Sequence, residues 1–159
     1  MSNTFTQIHL QLVFAVKYRE ALIQKSWRDR LHAYITGIVQ NHRHKMLQIN
    51  SRPDHIHILI GYRPSQPLPK LVEEIKTSSN QFIKENRLSP FQFAWQVGYA
   101  AFSYSRSQVP AVATYIERQD EHHRNKTFRE EYIEMLQKAE VEFEEQYLFE
   151  FWGDVVDWE

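Results

Sequence analysis

Arg52-Pro53-Asp54-His55-Ile56-His57-Ile58-Leu59-Ile60 is a turn followed by a strand. Successive side chains of a strand point to opposite faces, so Ile56, Ile58 and Ile60 share one face and enter a core. His55 and His57 then point together the other way, toward an open face. Upstream, Met46 to Asn50 reads as a short strand paired to this one through the Arg52-Pro53-Asp54 turn. Gln7 to Val16 also alternates: Ile8, Leu10, Leu12, Phe14 and Val16 lie on one side, and Gln7, His9 and Gln11 on the other. Between these strands Trp27, Leu31, Tyr34, Ile35, Ile38 and Val39 recur at helical spacing, predicting an amphipathic helix over roughly 24–43.

Downstream, Pro67 and Pro69 suit the opening of a second helix. Leu68, Leu71, Val72, Ile75, Phe82 and Ile83 continue it to about Asn86. Phe91 to Tyr104 is aromatic and extended and reads as one strand broken or bent near Gly98. Ser107 is a candidate cap for a helix from Gln108 to about His123. Thr127 with Glu130 forms a capping-box pattern for a last helix, whose stripe is read as Tyr132, Leu136, Ala139 and Phe143. Strand, helix, strand, strand, helix, strand is the order of a ferredoxin-like, RRM-like α+β sheet (βαββαβ) with helices on one face. At least one of the two later helices is available to cover part of the open face.

The chain has 159 residues, 42% of them hydrophobic and 14% aromatic, enough to bury one core. No run approaches the ~18 consecutive apolar residues of a membrane span, and Met1-Ser2-Asn3-Thr4-Phe5 does not read as a signal peptide. The expected compartment is cytoplasmic, at the nucleoid when bound to DNA. With no cysteine, disulfides, thiolate metal sites and cysteine nucleophiles are excluded. The net charge of −1 hides an asymmetry: residues 127–159 carry 11 acidic and 2 basic side chains, leaving residues 1–126 at +8. A basic body suggests nucleic acid, although an acidic helix that merely balances the body for solubility accounts for the same figures. The organisation expected is a catalytic domain over 1–126 and an acidic helix and tail over 127–159, either part of that domain or an appendage.

Two imidazoles two residues apart on a strand can reach one divalent ion, but they need further ligands. Tyr115 and Gln119, four residues apart on the 108–123 helix, lie about 40° apart on its surface. They border the apolar stripe of Val109, Val112 and Ile116. The Gln119 amide oxygen can complete a His-His-Gln set, and such a set without thiolate favours Mg²⁺ or Mn²⁺. Asp120, His122 and His123 are also of ligand type, though the two histidines are expected at a frayed helix end.

These pieces together resemble the small single-tyrosine HUH transposases of the insertion-sequence 200/605 group. The resemblance runs from about Asn3 to Arg129. It is carried by Leu-Val-Phe-Ala-Val-Lys-Tyr-Arg (12–19), the 52–60 stretch, Val-Gly-Tyr-Ala-Ala-Phe-Ser-Tyr-Ser (97–105) and Tyr-Ile-Glu-Arg-Gln-Asp-Glu-His-His (115–123). It implies Tyr115 as nucleophile and His55, His57 and Gln119 as ligands of Mg²⁺ or Mn²⁺. The implied activity cuts and rejoins single-stranded DNA at element ends through a 5′-phosphotyrosine, with recognition of DNA hairpins. It also implies a homodimer, in which Tyr115 and Gln119 serve either their own chain's histidines or the partner's.

The expected DNA contacts are Lys17, Tyr18 and Arg19 after the first strand, and Lys70, Lys76, Ser79 and Lys84 along the second long helix. Two other readings stay open. One is a relative that processes chromosomal palindromic repeats. The other is a non-catalytic RRM-like module stacking bases on Tyr99, Phe102 and Tyr104.

Overall fold

The computed structural model describes residues 3–152 and Trp158. Strands β1 (His9–Ala15), β2 (Lys45–Arg52), β3 (His55–Gly61) and β4 (Ala100–Tyr104) form one antiparallel sheet in the order β2-β3-β1-β4. Helix α1 (Lys25–Asn41) links β1 to β2 and α2 (Leu68–Glu85) links β3 to β4, giving the expected ferredoxin-like α+β topology. The register places Val13 opposite His57 and Leu12 opposite Ile58. Directly opposed residues share a face, so each face of the sheet has one chemical character.

On one face Leu12, Phe14, Ile56, Ile58 and Ile60 are fully buried. Helix α2 covers this face. The Trp95 ring meets Phe14 edge-on at 4.8 Å, and its indole nitrogen donates to Ser79 Oγ of α2 at 3.0 Å. The other face, carrying Gln11, Val13, His55, His57 and Leu59, is closed by three C-terminal helices: α3 (Val109–Glu117), α4 (Gln119–His122) and α5 (Phe128–Lys138). The two histidines therefore do not look out on solvent. Both are buried, under Phe128, Gln119 and Glu131.

Several local expectations need correction. The extended stretch Phe91–Tyr104 is a strand only from Ala100. Trp95 makes a single bridge to Val16, and Gly98 adopts φ +93°, a left-handed conformation open to glycine. Lys76 Nζ pins this segment by donating to the carbonyls of Gln96 (2.8 Å) and Gly98 (2.6 Å). Ser105, rather than Ser107, forms the capping box, with Gln108.

The 108–123 helix is broken at Arg118 (φ −93°, ψ 25°). Asn50 of β2 compensates: its side-chain amide donates to the carbonyls of Ile116 (2.9 Å) and Glu117 (3.2 Å), which the break deprives of helical partners. The last helix begins with the Thr127–Glu130 capping box as expected but stops at Lys138, so Phe143 lies beyond it. Its inward stripe is Phe128, Glu131, Tyr132, Met135 and Leu136, which keeps the expected Tyr132 and Leu136 but not Ala139, exposed just past the helix end.

Replacing Asn50 with Ala strands carbonyls at the helix break and should destabilise the fold by about 1–3 kcal/mol. Urea unfolding with an unchanged slope and a lower midpoint would show it. An unchanged midpoint would mean that the break needs no support from β2.

Candidate active site and metal centre

The site is built on the face that β3 gives to its histidines, and its centre is a carboxylate from α5. Glu131 is 1% exposed. Its Oε1 lies 3.2 Å from His55 Nε2, 3.2 Å from His57 Nε2 and 3.0 Å from His123 Nε2. Its Oε2 accepts the Gln119 side-chain amide at 2.9 Å and the hydroxyl of Tyr115. The Gln119 Oε1 atom in turn lies 3.2 Å from His55 Nε2. All four residues expected at the catalytic centre therefore meet within one chain: this chain's Tyr115 and Gln119 stand beside its own His55 and His57.

The outer nitrogens of the two β3 histidines are also fixed. His55 Nδ1 donates to Asp54 Oδ1 at 2.7 Å, and His57 Nδ1 donates to Gln11 Oε1 at 2.7 Å. Gln11 donates onward to the Tyr104 hydroxyl at 2.7 Å. Both rings thus present Nε2 inward, the arrangement in which a carboxylate or amide behind a histidine sets its tautomer for a metal. Phe128 stacks on His55 with ring centres 3.8 Å apart, and His122 stacks on Tyr115 at 4.5 Å.

The electrostatics follow from burial and crowding. Burial opposes charge on His55, but Asp54, and then Glu131, outweigh it and raise its pKa to about 9. His57 lacks a second carboxylate like Asp54; burial outweighs the pull of Glu131 and keeps it below the ordinary histidine value, neutral at pH 7. Burial also opposes charge on Glu131, yet the imidazoles crowded around it hold it well below the usual carboxylate range. Burial, and next the negative charge of Glu131, raise the Tyr115 phenol far above its normal value.

One contact in this cluster is poorly satisfied. Neutral His57 uses its only N–H on Gln11, so its Nε2 lone pair faces the Glu131 carboxylate at 3.2 Å, acceptor against acceptor. A cation between them resolves the conflict. His55, His57 and Glu131 offer ligand atoms within 4.8 Å of one another, the one such group among the described residues. Its nitrogen and oxygen donors suit a divalent ion such as Mn²⁺.

Glu131 was missed by sequence reasoning, and His123, of ligand type, was expected at a frayed helix end. Glu131 passes for an ordinary acidic residue in the first turn of a capped helix, but it sits on the Phe128–Tyr132–Met135–Leu136 stripe, and a charge on an apolar stripe is the signal that could have found it. His123 is not frayed; it caps α4, donates from Nδ1 to the Lys126 carbonyl at 2.8 Å and is buried. Asp120 is not a ligand either. Its Oδ1 accepts from Arg52 at 2.6 Å and from the indole of Trp158 at 2.8 Å, and Oδ2 from Arg28 at 3.4 Å.

Of the expected DNA contacts, Ser79 is ruled out: it is fully buried, donating to the Ile75 carbonyl and accepting from Trp95. Lys76 is committed to the Gln96 and Gly98 carbonyls, and burial lowers its pKa to about 8. Lys70, paired with Glu73 at 3.6 Å, and Lys84 are exposed on α2, on the side of the sheet away from Glu131. Lys17 and Arg19 are exposed, and Tyr18 is half-buried beneath the Lys17 ammonium, 5.3 Å from its ring centre. Phe102 is buried, so it offers no face to a base, and Tyr104 is held by Gln11.

With this geometry in place, comparison with known proteins adds the family. The model of the family described as "Transposase IS200 like" matches residues 4–119. The chain is 25% identical over 118 residues to the ISDra2 transposase TnpA of Deinococcus radiodurans, covering 71% of this chain and 84% of that one. The fold is similar to the crystal structure of a candidate transposase from D. radiodurans R1, at a TM-score of 0.58 and 20% identity, covering 75% of this chain and 95% of that one. It is also similar to a REP-associated tyrosine transposase bound to a REP hairpin, at a TM-score of 0.56 and 14% identity, covering 99% of this chain and 93% of that one. A match spanning most of the chain, including the β3 histidines and the Tyr115–Gln119 pair, makes this protein a member of the IS200-like transposase family.

Proposed function

We propose that the protein cleaves and rejoins single-stranded DNA at the ends of an insertion sequence, by transesterification through Tyr115. The observation that carries this reading is the hydroxyl of Tyr115 held against Glu131, beside two histidines whose inner nitrogens converge on the same carboxylate. Tyr115 Oη attacks the scissile phosphorus, the bond from phosphorus to the 3′ oxygen breaks, and the 5′ phosphate becomes a tyrosine ester. A 3′-OH is freed, taking up the proton. Rejoining is the reverse, with a different 3′-OH as attacking group, so the bond energy is conserved and no nucleotide cofactor is needed.

A phenol with a normal pKa of ~10 is a weak nucleophile at neutral pH until it is deprotonated and oriented. Glu131 Oε2 accepts the Tyr115 hydroxyl and is the atom placed to receive its proton. His122, stacked on the ring, and Gln119, bonded to the same carboxylate oxygen, hold the phenol in orientation. His55, His57, Glu131 and the Gln119 amide oxygen would hold a divalent ion, Mg²⁺ or Mn²⁺. Such an ion supplies positive charge that offsets Glu131 and stabilises charge building on the phosphate. Gln11 and Asp54 keep the two imidazoles turned inward. The site is complete within one chain, which supports catalysis in cis, whether or not the protein is a homodimer.

A second reading has an observation in its favour. The likeness to the REP-associated transposase spans 99% of this chain, α5 included, whereas the D. radiodurans structure spans 75% and the family match ends at residue 119, before Glu131. On that reading the substrate is a chromosomal palindrome, and the chemistry is unchanged. Subterminal hairpins flanking the gene favour the insertion-sequence reading, and their absence beside scattered palindromic repeats favours the second. The non-catalytic module is disfavoured by Phe102, which lies in the core.

Incubation with single-stranded DNA carrying the element end and Mg²⁺ or Mn²⁺ should give a covalent adduct on denaturing electrophoresis that Tyr115→Phe abolishes. An adduct that persists in Tyr115→Phe overturns the assignment of the nucleophile. A second prediction concerns protons. Below about pH 9 His55 carries a proton that a metal has to displace, so Mn²⁺ affinity should rise with pH up to about 9 and then level off. Calorimetry at pH 7.5 in two buffers of different ionisation enthalpy should report release of about one proton per ion bound. No release would mean that His55 is not a ligand.

A further inference from the structure

We propose that the groove between the Arg19–Ala21 turn, the start of α1 and Phe91 seats unpaired nucleotides of the DNA substrate. The proposal rests on the transposase reading and adds where the single strand runs beside the site. The groove has a volume of about 470 Å³, and its lining includes Arg19, Leu22, Lys25, Pro53, Phe91 and Trp158.

Three observations carry it. The first is aromatic surface left in water: Phe91 is 56% exposed and stands outside the hydrophobic core. Trp158, by contrast, is held in place. Its indole nitrogen donates to Asp120 at 2.8 Å, and the guanidinium groups of Arg28 and Arg52 lie 4.7 and 5.6 Å from its ring centre. A largely exposed aromatic side chain, facing a groove whose described lining includes a second, fixed aromatic, matches the stacking surfaces on which single-stranded bases lie.

The second is charge. The exposed side chains of Arg19 and Lys25 are at the groove, with Glu20 the acidic residue among the described residues of its lining. Cations interleaved with aromatics are the combination that tracks a phosphate backbone while its bases stack, and it does so without reading sequence.

The third is continuity with the catalytic centre. Pro53 lines the groove, and its carbonyl accepts from Ile23 N at 2.9 Å. The next residue, Asp54, holds His55. On the other side, Asp120, which anchors Trp158, directly follows Gln119. The groove therefore shares a turn and a helix with two of the residues around Glu131, and a strand crossing the site in this direction enters it. Duplex DNA presents no free base faces, so the groove discriminates in favour of single strands.

The test uses the full chain carrying Tyr115→Phe, so that binding is read without covalent capture. Fluorescence anisotropy with labelled oligo-dT and with a blunt DNA hairpin of matched length separates the two surfaces. Phe91→Ala, at an exposed position, should weaken oligo-dT binding about five-fold or more and leave hairpin binding within about two-fold. Phe91→Trp should restore oligo-dT affinity. Lys25→Ala should weaken oligo-dT binding and flatten its salt dependence. Unchanged oligo-dT affinity in both Phe91→Ala and Lys25→Ala, or equal losses on both probes for Phe91→Ala, overturns the proposal. Neither outcome touches Tyr115-dependent adduct formation, whose failure would count against the enzymatic reading instead.

Discussion

A carboxylate taken out of water and surrounded by imidazoles organises this molecule. Glu131 is nearly inaccessible to solvent, yet it stays ionised because imidazoles crowd one of its oxygens while Gln119 and Tyr115 donate to the other. Desolvating a charge is expensive unless it is fully partnered, and removing one member of such a cluster leaves the others stranded. The five partners come from three elements: β3 provides two histidines, α3 the tyrosine, and α4 the glutamine and, at its end, His123. A single side chain of α5 therefore fixes how the three C-terminal helices close over the sheet. The same crowding leaves lone pairs facing one another, so the cluster is better satisfied with a cation than without.

The sheet was largely legible in the sequence because alternation is unambiguous where one face is apolar. The run of isoleucines at 56, 58 and 60 places His55 and His57 on the opposite face with no further information, and the spacing of Tyr115 and Gln119 brings them to one side of a helical segment. What the pattern did not reveal was depth. The same alternation that aims two histidines at an open face cannot say that α5 closes that face over them. Nor could it reveal the break at Arg118, where neither glycine nor proline occurs; its support, Asn50, lies on β2, remote in sequence. Glu131 was hidden by its context, since a glutamate next to a capping-box Glu130 is what the start of any helix contains. Its place on the Phe128–Leu136 stripe was the discriminating feature.

The acidic C-terminal stretch and the basic body acquire separate meanings. Part of the acidic load is structural and chemical: Glu131 enters the site, while Glu134 pairs with Lys126 beside it. On the body, the lysines of α2 do not form one uniform contact surface. Lys76 ties down the segment leading to β4, Ser79 is a buried partner for Trp95, and Lys70 and Lys84 face solvent behind the sheet, away from the catalytic cluster. Lys126 and Lys138 line the groove beside Tyr115 and Glu131, and further cations lie around the β1–α1 connection, close to the turn that carries Asp54.

The most direct test of the central claim is anomalous diffraction from crystals of the intact chain grown with Mn²⁺. A peak bounded by the Nε2 atoms of His55 and His57 and the carboxylate of Glu131, with the Tyr115 hydroxyl of the same chain beside it, is the predicted result. A peak that excludes Glu131, or a Tyr115 lying far from the ion in every subunit, would contradict it.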